Sequence, residues 1–192
     1  MSKEVQKHKI LILGASGYLG GAIYKELYPY FRTYGTYFRP NKDHDNNKQF
    51  FQYDVETDDI WEILKATKPS IIISALRGDF HAQTIAHTHL AEYALEHGTK
   101  IIFLSSANAF DAYSKYPSYE NDKTLSHSIY GHFKIKIENM LMRMPKKQVA
   151  IIRMPMVFGQ NCPRIQEIKQ FISDSEAVEI FPNLIMNVTL DR

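Results

Sequence analysis

Near its start the chain runs Lys9-Ile-Leu-Ile-Leu13 and passes at once into Gly14-Ala-Ser16-Gly17-Tyr18-Leu19-Gly20. Four apolar residues in succession predict a strand buried on both faces, and the three glycines predict a tight turn. Leu19, Ala22, Ile23 and Leu27 follow at helical spacing, so an amphipathic helix is expected. A strand, a glycine turn and a helix in that order form the context in which a glycine triple reads as a dinucleotide fingerprint. Gly14 permits the turn, Gly17 lets the backbone approach a pyrophosphate, and Gly20 lets helix and strand pack closely. The helix start then offers amides and a positive dipole end to phosphate. The spacing is GxxGxxG, one residue longer in the turn than the commonest form.

The rest of the chain keeps the same alternation. Strands are expected at 33–38, 50–53, 71–75, 100–105 and 149–153. Helices are expected at 58–68, stopped by Pro69, at 80–97, stopped by Gly98, at 128–144 and, more weakly, at 164–173. Residues 41–48 read as a polar loop, 108–125 as a long irregular stretch of the kind that is often functional, and two short strand-like pieces finish the chain. The strands show no polar/apolar alternation, so both sheet faces should be covered. The expected fold is α/β: a Rossmann-like, doubly wound parallel sheet with helices on both faces and ligands at the carboxyl ends of its strands.

A length of 192 residues suits one such domain. A net charge of +2 with no basic stripe argues against a nucleic-acid partner. No apolar run is long enough to span a membrane, and the first seven residues have no secretory h-region. The single cysteine, Cys162, agrees with a reducing compartment, and a cytoplasmic location is expected. His87 and His89 are two apart on a helix, so they point apart, and no metal site is expected. The aromatic cluster of Tyr24, Tyr28, Tyr30, Phe31, Tyr34, Tyr37 and Phe38 reads as core packing around the first helix and second strand.

Two features fall at or after strand ends. The fifth strand enters Ser105-Ser106-Ala107, and the strong helix opens with Tyr130-Gly-His-Phe-Lys134. Tyr130 and Lys134, four apart, share a helical face. Hydride transfer to a carbonyl requires a proton donor for the developing alkoxide. A phenol, ordinary pKa ~10, can serve if nearby positive charge favours its anion. A serine hydroxyl beside the carbonyl oxygen would orient it and share its charge. Either feature alone is common; their order after the glycine triple makes the case.

These residues resemble the extended short-chain dehydrogenase/reductases, and within them the dTDP-4-dehydrorhamnose reductases and related nucleotide-sugar epimerases and reductases. The matching segments are Gly14–Gly20, Leu104-Ser-Ser-Ala-Asn-Ala-Phe-Asp111, Tyr119-Glu-Asn-Asp122, Ser128–Glu138 and Ile152-Arg-Met-Pro-Met-Val-Phe-Gly159. The resemblance implies that Ser106, Tyr130 and Lys134 are catalytic, and that Lys134 also contacts the nicotinamide ribose. It implies that Asp54 and Val55 lie near the adenine and that Ser74, Ala75 and Leu76 line the cofactor cleft. The expected function is an NAD(P)-dependent reductase or epimerase of a nucleotide-linked keto-sugar. The alternative is a non-catalytic NADP(H)-binding redox sensor.

Three departures matter. Gln83 stands near a position where relatives often carry asparagine. Phe38 and Arg39 stand where many relatives carry an acid for the ribose 2′-hydroxyl. Arg39 reads either as a solvated loop cation or as a partner for a 2′-phosphate, and NADP is expected over NAD. Such relatives also carry roughly a further third of chain, so residues 1–192 are expected to be a single NAD(P)-binding domain truncated at the start of a C-terminal substrate lobe. The helix at 128–144 carries Ile129, Phe133, Ile137, Met140, Leu141 and Met144 on one stripe, of which Phe133, Ile137, Met140 and Met144 are read equally as core and as the face of a homodimer.

Overall fold

β1 (Lys9–Leu13) lies inside the sheet, flanked on both edges by parallel partners, and its apolar run suits a strand covered on both faces. Its Leu11, Ile12 and Leu13 are wholly buried, which contributes ~1.5–3 kcal/mol per side chain. The computed structural model describes residues 8–40, 42–45, 47–113, 118–159, 162–174 and 188–190. They fall into two compact units: Met1–Leu104 with Ile135–Ile152, and Ser105–Lys134 with Arg153–Arg192.

In the first unit, β1 is followed by α1 (Tyr18–Leu27), β2 (Arg32–Tyr37), the single turn α2 (Lys42–Asp45) and β3 (Phe50–Gln52). Next come α3 (Ile60–Thr67), β4 (Ile71–Ser74), α4 (Phe80–His97) and β5 (Lys100–Ser106). α5 (Ile129–Leu141) and β6 (Val149–Met154) begin or end in the other unit. The strand order is β3-β2-β1-β4-β5-β6, with β1 parallel to β2 and β4, β2 to β3, and β4 to β5. The order reverses beside β1, and ligands of such sheets bind at that switch point, beyond the strand carboxyl ends. This is the doubly wound parallel sheet expected from the unalternating strands.

The helices end where local chemistry ends them. Asp59 caps α3 by accepting from the Trp61 amide, and Asp79 caps α4 by accepting from the Ala82 amide. Gly98 closes α4 in the left-handed conformation. α3 is closed by Lys68, at φ +49°, one residue before Pro69. α1 lies on the sheet through Ile23, Tyr24 and Leu27, packed against Ile10, Ile12, Ala15 and Ile73.

Several expectations need correcting. Ala22 is exposed, because it sits about 100° around α1 from Ile23. Ile129 is 79% exposed, whereas Phe133, Ile137, Leu141 and Met144 are buried. Helical side chains lean towards the N-terminus, so that of the first residue of α5 projects past the helix end. The aromatic cluster divides: Tyr34 and Tyr37 are buried, but Tyr28, Tyr30 and Phe38 are more than half exposed. The expected loop at 41–48 contains α2, whose His44 ring stacks on Phe50 at 4.3 Å.

In the second unit, a 3-10 turn (Ala107–Phe110) follows β5. β7 (Met156–Phe158) precedes α6 (Pro163–Ser173), and β8 (Val188–Leu190) pairs with β7 in parallel. Of the two short strand-like pieces expected after α6, β8 is described, and residues 175–187 lie outside the described residues. Asn187, Asp191 and Arg192 lie outside the described residues.

Candidate functional site

The glycine turn is held open by its neighbours. Gly14 takes φ +79°, and a Cβ there would stand 2.7 Å from the Ala75 carbonyl oxygen, so only glycine fits. Its amide donates to the Thr36 hydroxyl at 2.8 Å, and the Gly17 amide donates back to the Gly14 carbonyl at 3.0 Å. Thr36, buried on β2, was not legible from sequence, since nothing marks one strand threonine as the acceptor for a distant turn. Gly17 is exposed and begins α1 without a side-chain cap. Ser16 is exposed, while Tyr18 and Leu19 are half-buried on the first turn. The first amides of a helix have no intrahelical acceptor, so the start of α1 just after this turn fits a pyrophosphate.

The other predicted cofactor residues of this unit divide into open and committed groups. Arg39 is exposed just after β2. The Asp54 carboxylate accepts from the Glu56 amide at 3.0 Å, and the Asp54 amide donates to Asp58 at 2.7 Å. Val55 lines a cavity of about 510 Å³ with Tyr53, Asp58, Asp79, Ala82 and Ile85 among its walls. Burial, then the carboxylates of Asp58, Asp59 and Asp54, push the phenol of Tyr53 up to about 12. Ala75 and Leu76 are half-exposed after β4. The Ser74 side chain is buried and its hydroxyl lies 2.9 Å from His87 Nε2.

His87 is wholly buried and stands against Phe103, ring to ring at 5.0 Å. Its Nδ1 lies 2.6 Å from the Gln83 carbonyl, which can only accept. Nδ1 therefore carries a proton, and in the neutral form of the ring Nε2 accepts a hydrogen bond from the Ser74 hydroxyl. Gln83 donates through Nε2 to the Gly78 carbonyl at 2.8 Å, and its Oε1 is, among the described residues, the buried side-chain atom without a partner. An orphaned buried acceptor costs ~1–3 kcal/mol, so a donor from a ligand or water fits there.

The second unit holds the three residues predicted to be catalytic. Ser106 ends β5, buried, and its hydroxyl donates to Asn108 Oδ1 at 2.9 Å while accepting from the Asn108 amide at 3.2 Å. Tyr130 and Lys134 open α5. Tyr130 is 41% exposed, whereas Lys134 is 5% exposed with its Nζ 5.6 Å from the Tyr130 ring centre and 5.5 Å from that of Phe133. A cation is thus held against the Tyr130 ring, and nearby positive charge favours the anion of a phenol.

α5 starts where it does because of Asp111. This carboxylate accepts from the His127 amide at 2.6 Å, from Ser126 Oγ at 2.9 Å and from Ser128 Oγ at 2.7 Å. Ser128 in turn caps the helix by accepting from the Gly131 amide at 3.0 Å. A Cβ on Gly131 would collide with Ser126 Oγ and stand 2.6 Å from the Asn108 carbonyl oxygen. Burial raises the Asp111 pKa, but the hydrogen bonds from Ser128, the His127 amide and Ser126, with the His127 charge, outweigh it and hold the carboxyl below its ordinary value. A depressed pKa stabilises the fold above the ordinary carboxylate value of ~3.9, and that stability is lost as pH falls through the folded value. Asp111→Asn should therefore flatten the acid limb of stability below about pH 4, measured by urea unfolding at stepped pH. An unaltered acid limb would contradict the reading.

Residues 8–174 match the RmlD substrate binding domain family. The dTDP-4-dehydrorhamnose reductase of Aggregatibacter actinomycetemcomitans is 26% identical over 171 residues, covering 79% of this chain and 52% of that protein. The chain thus spans about half the length of this curated relative. Among solved structures, the UDP-glucose 4-epimerase of Thermus thermophilus, complexed with NAD, superposes with a TM-score of 0.78 at 14% identity, over 95% of this chain and 70% of that one. A hypothetical dTDP-4-dehydrorhamnose reductase from Sulfolobus tokodaii superposes at 0.67 and 19% identity, over 80% and 57%. These superpositions establish the fold. With the family match over most of its length, the chain belongs to the RmlD substrate binding domain family.

Proposed function

We propose that the protein is an NADP-dependent reductase, or epimerase, of a nucleotide-linked keto-sugar such as dTDP-4-dehydrorhamnose. The observation that carries this reading is the Lys134 ammonium, buried and 5.6 Å from the ring of Tyr130, in one unit with Ser106. Relatives named for keto-sugar reduction and nucleotide-sugar epimerisation support the substrate class.

Bound NADPH supplies the hydride. Gly14, Gly17 and Gly20, with Ser16, Tyr18 and Leu19, hold the pyrophosphate, and Val55 with the cavity beside it takes the adenine. Asp54 works there through its backbone, its carboxylate being engaged by the Glu56 amide. Ala75 and Leu76 line the cleft with main chain. Ser74 acts from beneath, through its bond to His87. Tyr130 donates its phenolic proton to the developing alkoxide, and Lys134 stabilises the negative charge left on the phenolic oxygen. Ser106 turns its hydroxyl from Asn108 to the carbonyl oxygen, a rotation about one bond. Ser106→Ala should lower kcat roughly a hundredfold or more while leaving cofactor affinity at the parental level.

Arg39, exposed just past β2, supports NADP over NAD as a cation available to a 2′-phosphate. Fluorescence titration should find NADPH tighter than NADH by roughly tenfold, and Arg39→Ala should remove the difference. Equal affinities in the parent, or tighter NADH, would refute the NADP assignment.

The same reading includes a cytoplasmic location, supported by the sole cysteine and, among the described residues, by no helix long and apolar enough to cross a membrane. It also includes a homodimer, supported by the exposed Leu95 on α4 and Met142 just past α5.

A further inference from the structure

Asp111 lies outside the set that would touch substrate or cofactor, yet it joins the segment after Ser106 to the start of α5. An ionised carboxylate only accepts. Its two oxygens therefore dictate the polarity of everything around it. Ser126 and Ser128 both donate to Oδ2, at 2.9 and 2.7 Å, and these are shorter than the competing contacts of Ser126 Oγ to Ser128 Oγ at 3.1 Å and to the Ser128 carbonyl at 3.4 Å. With its proton committed, Ser128 Oγ presents lone pairs to the Gly131 amide, and Ser126 Oγ presents one to the Ser128 amide at 3.1 Å. Gly131 follows Tyr130 directly and rests against Ser126 and the carbonyl of Asn108, whose side chain holds Ser106. One carboxylate thus orders both ends of the candidate catalytic set.

We propose that Asp111 is a positioning residue: its charge locks the hydroxyls of Ser126 and Ser128 as donors, and this lock holds Tyr130 in register with Ser106. The proposal rests on the assignment of Tyr130 as proton donor. A neutral amide of the same shape breaks the lock, because an asparagine side chain at this position would itself donate and leave both hydroxyl orientations allowed. Misplacing a reacting group by about 1 Å costs up to ~100-fold in rate.

The test is Asp111→Asn in the full chain, with Ser128→Ala and Ser128→Thr beside it. Ser128→Ala removes the links to both Asp111 and Gly131 while leaving the carboxylate and its bonds to Ser126 and the His127 amide, and Ser128→Thr restores a hydroxyl. Turnover of dTDP-4-dehydrorhamnose with NADPH and amide exchange at Gly131 are measured together. Asp111→Asn and Ser128→Ala should lower kcat roughly ten- to a hundredfold, with KM and NADPH affinity near parental, and Ser128→Thr should recover most of the loss. The Gly131 amide should exchange about tenfold faster in the first two variants, with Ile137 and Leu141 unchanged. Parental kcat in Asp111→Asn, or parental Gly131 exchange, would overturn the positioning role while leaving Tyr130 as donor. A parent without turnover would overturn both, and that outcome is recognised in the parent alone.

Discussion

Replacing Tyr130 by phenylalanine is expected to reduce keto-sugar turnover by at least a thousandfold while NADPH affinity stays within about twofold of the parent. The phenolic hydroxyl is used only as the alkoxide develops, so its loss falls on kcat and spares the ground state. The ring of Tyr130 remains in Tyr130→Phe, and with it the contact to Phe133 at 6.4 Å, so the fold should not change. Lys134→Met should differ. It removes the buried ammonium that lies over both rings, and kcat should fall together with cofactor affinity. A Tyr130→Phe protein reducing keto-sugar at the parental rate would contradict the proton-donor assignment.

The second large effect separates two glycines that look alike in sequence. A Cβ on Gly20 would strike the Gly14 carbonyl oxygen and stand 2.8 Å from its carbon and 3.0 Å from Ala15 Cα. All three atoms are backbone and cannot move aside. Gly20→Val should therefore cost roughly 3 kcal/mol or more and lower Tm by about 10 °C. A Cβ on Gly17 would meet only the Gly14 carbonyl oxygen, at 3.2 Å, and Gly17 sits at φ −80°, ψ 168°, open to any residue. Gly17→Val should keep the circular dichroism spectrum and Tm near parental but weaken NADPH by roughly a hundredfold or more, because valine fills the space above the helix start. If both variants unfold alike, or Gly17→Val binds NADPH normally, the turn does not cradle the cofactor.

The sheet could be read from sequence because its strands lack polar alternation, and that pattern leaves parallel, doubly covered strands as the simplest solution. Helix α4 was legible to the residue because Asp79 and Gly98 are capping chemistry written locally. The α5 boundary was missed by one residue at its start for a non-local reason: Ser128 caps the helix only because Asp111, seventeen residues earlier, holds its hydroxyl. Ser106, Tyr130 and Lys134 carry a recognisable spacing. Asn108, Asp111, Thr36 and His87 do not, because their roles depend on which backbone amide or hydroxyl the fold brings to them. Ser74 illustrates the same point: its hydroxyl lies 2.9 Å from His87 Nε2, a partner that the order of residues does not reveal.

The central claim is hydride transfer to a keto-sugar, and isotope transfer tests it most directly. The protein would be incubated with dTDP-4-dehydrorhamnose and NADPH deuterated at nicotinamide C4, and the sugar nucleotide analysed by mass spectrometry and NMR. The account predicts one deuterium at sugar C4 in the parent protein and none with Tyr130→Phe over the same time. NADPH bound tightly with no deuterium reaching the sugar would contradict it and leave the protein a binder of NADP(H) without turnover.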